Sequence, residues 1–388
     1  MARKLFLLAS CIIMFFLAAC GGPKPIKPEA QLDTPEHHVS NGYKMLKAGE
    51  LEKAFSSFER ATKLDPKYAP GYAGLGLVYC EQANYKKAKE SFDKAEGYAK
   101  SDAHKFDVYI GYIRLYTLGG KKVDDDWLDE AESYHKKARK IFPDRPESYF
   151  YMGNAYKMAY KFNEASGQYA KVLQLNREFV GEADKEFALI QKIQRAIPGT
   201  EIGKKIALVE KINRADVAAL FIQELKLDEL FKARTKKEFD NSYKSPEKKF
   251  ETGSYVAAQK AVDIDNHVLK LDIEAVMEVG VRGLQPGPDH KYYPDTTIKR
   301  AEFALMIEDI LIKITGNEKL ATQFIGSESP FPDLRNDLAF FNAVMVCTAR
   351  GLMQTKDIET AEFGPLDTVS GADALLTIRT LKNQLEKR

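Results

Sequence analysis

Two arginines stand where side-chain chemistry is most legible. Arg214 and Arg300 each precede an alanine and an acid, in Asn213-Arg214-Ala215-Asp216 and Lys299-Arg300-Ala301-Glu302. An Asn or Ser followed three residues later by an acid is a capping box, whose side chains satisfy the orphan amides of a helix start. Asn213 with Asp216 and Ser370 with Asp373 fit that description. Capping accounts for both ends of the motif and not for the arginine between them. A guanidinium is planar, always charged and able to grip a carboxylate through two parallel bonds. Such a group is chemically suited to hold an anion.

Nothing else in the chain is arranged for catalysis. There is no HExxH, Cys-x-x-Cys, Walker loop or Gly-x-Ser-x-Gly, and no local motif marks a pair of carboxylates as acid and base. Gly71-x-x-Gly74-x-Gly76 reads as helix packing rather than a nucleotide loop, and His37-His38 has no further His before His104. No enzyme, cofactor or metal is expected. Cys80 and Cys347 fall in apolar helical stretches, which suits buried free thiols and leaves a bridge open in an oxidising compartment.

The remaining reactive group of note is the thiol of Cys20. Arg3 and Lys4 form a basic start, Leu5 to Leu17 is uncharged and apolar, and Leu17-Ala18-Ala19-Cys20-Gly21-Gly22 is a small-residue exit. That order describes a secretory signal over 1–19, with an uncleaved membrane helix as the alternative. Leu-Ala-Ala-Cys closely resembles a bacterial lipobox. The resemblance implies cleavage before Cys20, diacylglycerol on its sulfur and an acylated amine, enough apolar chain for stable membrane attachment. Gly21 after the Cys implies, by the same resemblance, retention in the outer membrane of a Gram-negative host, facing the periplasm. Residues 20–35, with four prolines, read as a stiff tether.

The elements that must position these groups follow from composition and period. At 388 residues the chain is long enough for two or three domains. Hydrophobic residues at 44% and charged residues at 29% suit a chain that buries real cores. With Arg3 and Lys4 removed, 56 basic side chains face 56 acidic ones, so nucleic-acid binding by bulk charge is not expected.

Gly42, Ala54, Phe58 and Ala61 recur 34 residues later as Gly76, Ala88, Phe92 and Ala95, and Ala131, His135 and Ala138 recur as Ala165, Tyr169 and Val172. This resembles the tetratricopeptide (TPR) repeat, and predicts about four helical hairpins over 36–178. Between the two pairs the period lengthens by nine residues around Thr117–Trp127, read as a solvated insertion. The resemblance implies a groove for a protein segment, lined by Val39, Tyr43, Ala73, Leu77, Phe150, Asn154 and Lys157. The Lys/Asn set with which some members of that family clamp a C-terminal carboxylate is missing, so a chaperone-tail receptor is not expected.

From about 180 a second pattern begins. Asp263-Ile264-Asp265, Gly283 to Gly287, Tyr292-Tyr293-Pro294 and Lys299-Arg300-Ala301-Glu302 are matched by Phe331-Pro332-Asp333, Gly351, Phe363-Gly364-Pro365 and Ser370-Gly371-Ala372-Asp373. A weaker copy ends Ile212-Asn213-Arg214-Ala215-Asp216. The pattern resembles the S-layer homology (SLH) domain, and three modules over about 180–230, 255–316 and 329–386 are expected, with a charged insert near 232–254. The resemblance implies that Arg214 and Arg300, with Glu302 and the backbone amides of Gly283 and Gly287, bind peptidoglycan or another anionic cell-wall glycan. Lys299 in the capping position and Gly371 in place of the arginine depart from the family.

The expected fold is therefore all-α: a TPR helical-hairpin solenoid followed by a mostly helical, three-module SLH-like domain. The expected function is a lipid-anchored envelope protein that tethers membrane to glycan while the repeats bind a protein. The alternative is a periplasmic scaffold or assembly lipoprotein without glycan binding.

Overall fold

A computed structural model describes residues 25–234, 260–357 and 359–386. Cys20 and most of the charged insert lie outside them. The chain divides into two compact units, Met1–Phe187 and Ala188–Arg388. The described residues are helical, and their strand-like contacts are isolated bridges.

In unit 1 the helices α1 (Pro35–Lys47) to α8 (Phe162–Leu175) pair as antiparallel hairpins. Between them lie α2 (Leu51–Leu64), α3 (Ala69–Glu81), α4 (Tyr85–Tyr98), α5 (Asp102–Gly119), α6 (Trp127–Ile141) and α7 (Pro146–Met158), and α9 (Val180–Ala196) follows. Their starts are written in the sequence: Thr34 accepts from the His37 amide at 3.2 Å and Ser101 from that of His104 at 3.2 Å. Pro35, Pro70 and Pro146 stand in first turns, where no amide is missed. Each second helix buries one stripe, as α2 does with Ala54, Phe58, Ala61 and Leu64.

The 34-residue period is a ring-on-glycine contact. Phe58, Phe92 and Tyr169 are fully buried, and a Cβ on Gly42, Gly76 or Gly153 would come within 2.6–2.7 Å of the facing ring. Gly74 and Gly111, one repeat on, close over the other side of Phe58 and Phe92. The nine extra residues are not a loose loop. They lengthen α5 to 18 residues and add a 3-10 turn at Gly120–Lys122, tied down by the Tyr85 hydroxyl donating to the Leu118 carbonyl at 3.0 Å.

His135 takes the ring's place in the third repeat. It is 5% exposed, its Nδ1 shares a 2.7 Å hydrogen bond with the Ser148 hydroxyl, and its Nε2 is buried without a partner. Burial pushes its pKa down to about 4. The neutral ring is therefore the folded form. Between the unfolded value near 6.5 and about 4, the unfolded chain takes up a proton that the folded one refuses. Unit 1 should lose stability as pH falls through that window, approaching about 3 kcal/mol at its acid end. Urea midpoints at pH 7 and pH 5 check this, and His135→Phe, the residue of the first two repeats, should flatten the dependence.

Unit 2 closes on itself through three backbone bonds. The Ile212 amide donates to the Val369 carbonyl (3.0 Å), Val369 to Ile298 (3.2 Å) and Ile298 to Ile212 (3.0 Å). Each residue lies two before the start of a helix: α11 (Arg214–Ala219, running into a π turn Leu220–Glu224), α14 (Arg300–Thr315) and α16 (Gly371–Glu386). The three copies thus meet around one centre. The other elements are α10 (Glu201–Ala207), α12 (Leu227–Arg234), α13 (Lys270–Val279), a 3-10 turn Glu318–Thr322 and α15 (Phe341–Ala349).

The acid that opens two copies is a backbone clamp. Asp263 accepts from the amides of Tyr292 (2.8 Å) and Tyr293 (2.7 Å), and Asp333 from those of Phe363 (2.9 Å) and Gly364 (2.7 Å). Each carboxylate satisfies two amides where an aromatic-x-Pro strip can form no ladder.

Candidate functional site

The first helices of the four hairpins, α1, α3, α5 and α7, share one face of unit 1. Tyr43 of α1 is half-buried there, and its hydroxyl lies in the field of Asp107 and Arg114 of α5 and Tyr151 of α7. Burial, with the Asp107 charge beside it, pushes that phenol well above its ordinary range. Arg114 donates to Glu81 of α3 at 3.1 Å and lies 5.0 Å from the centre of the Tyr151 ring. Asp107 is half-buried and makes no hydrogen bond or ion pair among the described residues; burial raises its pKa. The neighbouring Arg145 is engaged by Glu147. The face is aromatic, with one carboxylate that feels the charge of Arg145 but is held by no direct bond among the described residues.

The seven residues expected to line a groove fall in different settings. Val39, Ala73 and Leu77 are 8%, 2% and 7% exposed and belong to the core. Phe150 is covered by the Phe179 ring, stacked at 4.8 Å. Asn154 accepts from the Tyr169 hydroxyl at 2.7 Å, and Lys157 donates to Glu186 at 2.7 Å. Of the seven, Tyr43 alone joins the shared polar face. Asp107 and Arg114 were missed because the nine-residue excess hides the register of the third repeat, whereas Tyr151 of the fourth stands next to the expected Phe150. Aligning Gly111 with Gly74, as the two glycines that close over successive rings, would have found Asp107 and Arg114.

In unit 2, Arg214 reaches into the next copy. Its Nε donates to the Tyr292 carbonyl (2.7 Å), its Nη2 to that of Gln285 (3.0 Å) and its Nη1 to that of Gly283, while the guanidinium lies 4.6 Å from the Tyr292 ring centre. Arg300 repeats this one copy on, donating to Phe363 (2.8 Å) and Gln354 (2.5 Å) over the Phe363 ring. Neither makes an ion pair among the described residues, and burial pulls the Arg300 pKa below its usual value against the opposing charges of Asp373, Asp367 and Asp333.

The other expected glycan contacts are also engaged. Gly283 offers a carbonyl to Arg214, and the Gly287 amide donates to the Lys291 carbonyl at 2.9 Å, so it is not a free donor. Glu302 accepts from the Lys299 amide at 2.8 Å. An ammonium has no lone pair to return, so this cap is half a box, whereas Asn213 and Asp216 make both halves, at 3.0 and 2.8 Å. Gly371, where the third arginine would stand, lies against the Ile206 backbone and donates to Val209 at 2.8 Å.

Unit 1 is thus a solenoid of antiparallel helical hairpins, TPR-like in its 34-residue ring-on-glycine period. No family model matches the chain. Over 61 residues it is 46% identical to the heat-shock protein cognate co-chaperone sgt12 of Aspergillus fumigatus, covering 15% of this chain and 18% of that protein. Over 211 residues it is 23% identical to Superkiller protein 3 of Schizosaccharomyces pombe, covering 50% of this chain and 15% of that one. The chain therefore spans less than a fifth of the length of these relatives. Among solved structures, a thermophilic TPR protein of Thermus thermophilus aligns with a TM-score of 0.36 at 17% identity, over 49% of this chain and 91% of its own. No helix among the described residues is long and apolar enough to cross a membrane.

Proposed function

We propose that this protein is a lipid-anchored interaction scaffold of a bacterial envelope, binding an extended protein segment on the Tyr43–Asp107–Arg114–Tyr151 face. The observation that carries the reading is the convergence of four first helices on an aromatic face with an unpaired acid. A segment with a cationic side chain among apolar ones answers both features. The anchor is Cys20, and its support is the sequence preceding it. Peptide display on the full chain should enrich such segments, and Asp107→Asn should weaken them at least about tenfold, the scale of one charge-assisted bond. Enrichment that is indifferent to Asp107 and Tyr43 would overturn the reading. Mass spectrometry of the mature N-terminus tests Cys20.

A second reading, the glycan tether, is favoured by two guanidinium groups held at equivalent places without an ion pair. Arg214 and Arg300 retain N–H donors beyond those spent on carbonyls, and an anionic sugar would add the direct ion pair that neither makes among the described residues. Their carbonyl bonds also support the rival view, in which the arginines serve only to join the copies. Arg214→Ala should cost unit 2 about 2–3 kcal/mol through lost charge-assisted bonds, measured by chemical denaturation. Co-sedimentation with sacculi is therefore read at a temperature where the variants remain folded. Pelleting of the full chain that Arg214→Ala/Arg300→Ala abolishes while folded supports the tether, and no pelleting leaves the scaffold.

A further inference from the structure

We infer that unit 2 holds a small-molecule site for a carboxylate with an apolar body, in the hollow between α16 and the end of α9. The hollow has a volume of about 240 Å³. Ile197, Leu375 and Ile378 form its apolar wall, and Arg379 and Lys382 stand beside them on one side of α16.

The unit's internal repetition shows that something is unanswered there. Glu308 lies eight residues into α14, buried, and is met by Asn342 of the next copy (2.5 Å) and by Arg282 (2.9 Å). In the first copy the π turn shifts the position by one residue, and Gln223 donates to buried Asp272 at 3.0 Å. Arg379 holds the same place in α16. The facing position is set by distance from the left-handed residue that ends the helix. Asp272 precedes Gly280 (φ 76°) by eight residues, and the residues eight and nine before Ile197 (φ 48°) are Leu189 and Ala188. Two copies fill this position with a satisfied polar pair, and in the third Arg379 lines the hollow beside Ile197, Leu375 and Ile378.

Arg379 and Lys382 are half-buried, and neither has a hydrogen-bond or ion-pair partner among the described residues. Glu224 lines the same hollow and offsets one of these two positive charges, so an incoming anion gains from the one left over. The one acid at the rim, Glu224, is already held by the Gly199 amide (3.0 Å), the Thr200 amide (2.9 Å) and the Thr200 hydroxyl (2.6 Å). Ile197, a β-branched residue in the left-handed region, is 60% exposed at the mouth. A guanidinium fork, a second cation and an aliphatic wall select a carboxylate on a hydrocarbon body. The volume lies below the roughly 300–1,000 Å³ of drug-sized pockets, which restricts the ligand to a short one.

Calorimetric titration of the full chain with hexanoate, acetate, inorganic phosphate and hexan-1-ol tests this. Hexanoate should bind saturably and at least about tenfold more tightly than the other three. Arg379→Gln and Lys382→Gln should each lose at least about tenfold while melting like the parent, and Lys382→Gln decides if the first variant folds poorly. Hexanoate binding no better than acetate or phosphate would reduce the site to a surface charge patch. Equal binding of hexan-1-ol, or affinity retained in both variants, would equally overturn the proposal.

Discussion

Gly371→Ala should destabilise unit 2 by about 3 kcal/mol or more, at the upper end for overpacking a filled site. A Cβ at this position would overlap the Ile206 carbonyl oxygen and lie 2.6 Å from the carbonyl carbon. Both are main-chain atoms, so no rotamer change relieves the collision, and α16 must move away from Ile206. That movement breaks the Gly371 amide bond to Val209 and strains the adjacent Ile212–Val369 bond of the central ring. For a unit of this size about 3 kcal/mol is roughly 6–12 °C in melting temperature. Hydrogen exchange in the full chain should show α16 and α10 losing protection while α1 to α8 keep theirs. Unchanged protection would mean that the third contact carries no load. The absence of arginine here then has a direct reason: a long side chain has no room where two backbones touch.

Phe92→Ala should be comparably severe in unit 1, about 3–5 kcal/mol for truncating a fully buried ring. Phe92 lies between Gly76 and Gly111, and its ring is 5.4 Å from that of Tyr112. Removing it leaves a cavity that three helices, α3, α4 and α5, cannot close without losing their mutual spacing. In a stacked array the loss falls on the interfaces with the neighbouring repeats. Hydrogen exchange should rise first in those helices, with a melting shift of about 10 °C. Phe92→Leu should recover much of the stability, because volume matters more than aromaticity between two glycines. A uniform shift across both units would contradict this local account.

These two sites differ in how far they could be read in advance. Phe92 and its glycines are visible as residue types at a fixed period, because the contact recurs and each recurrence reuses the same side chains. Gly371 is visible only as a departure, since its partner is a carbonyl of Ile206 and every residue has a carbonyl. The same limit explains Arg214 and Arg300. Their type and place at helix starts are plain in the sequence, whereas the Gly283, Gln285, Tyr292, Gln354 and Phe363 carbonyls that receive them are marked by nothing but position.

Asp107 and Arg114 escaped for a different reason. Nine added residues displaced the third repeat, and a face built from four helices is legible only when every helix is in register. His135 could be aligned with Tyr169 by period, but its partnerless Nε2 could not be inferred, because that depends on what else fills the space around it.

The sequence by itself determined the helical hairpins, the period that stacks them, the second threefold pattern and the capped helix starts. These follow from local propensity and from side chains that recur. Only the tertiary structure decided which polar groups are already satisfied and which are left over. Hydrogen-bond satisfaction is settled by neighbours distant in the chain, and it separates the engaged Arg214 from Asp107 and Arg379, which no direct bond holds among the described residues.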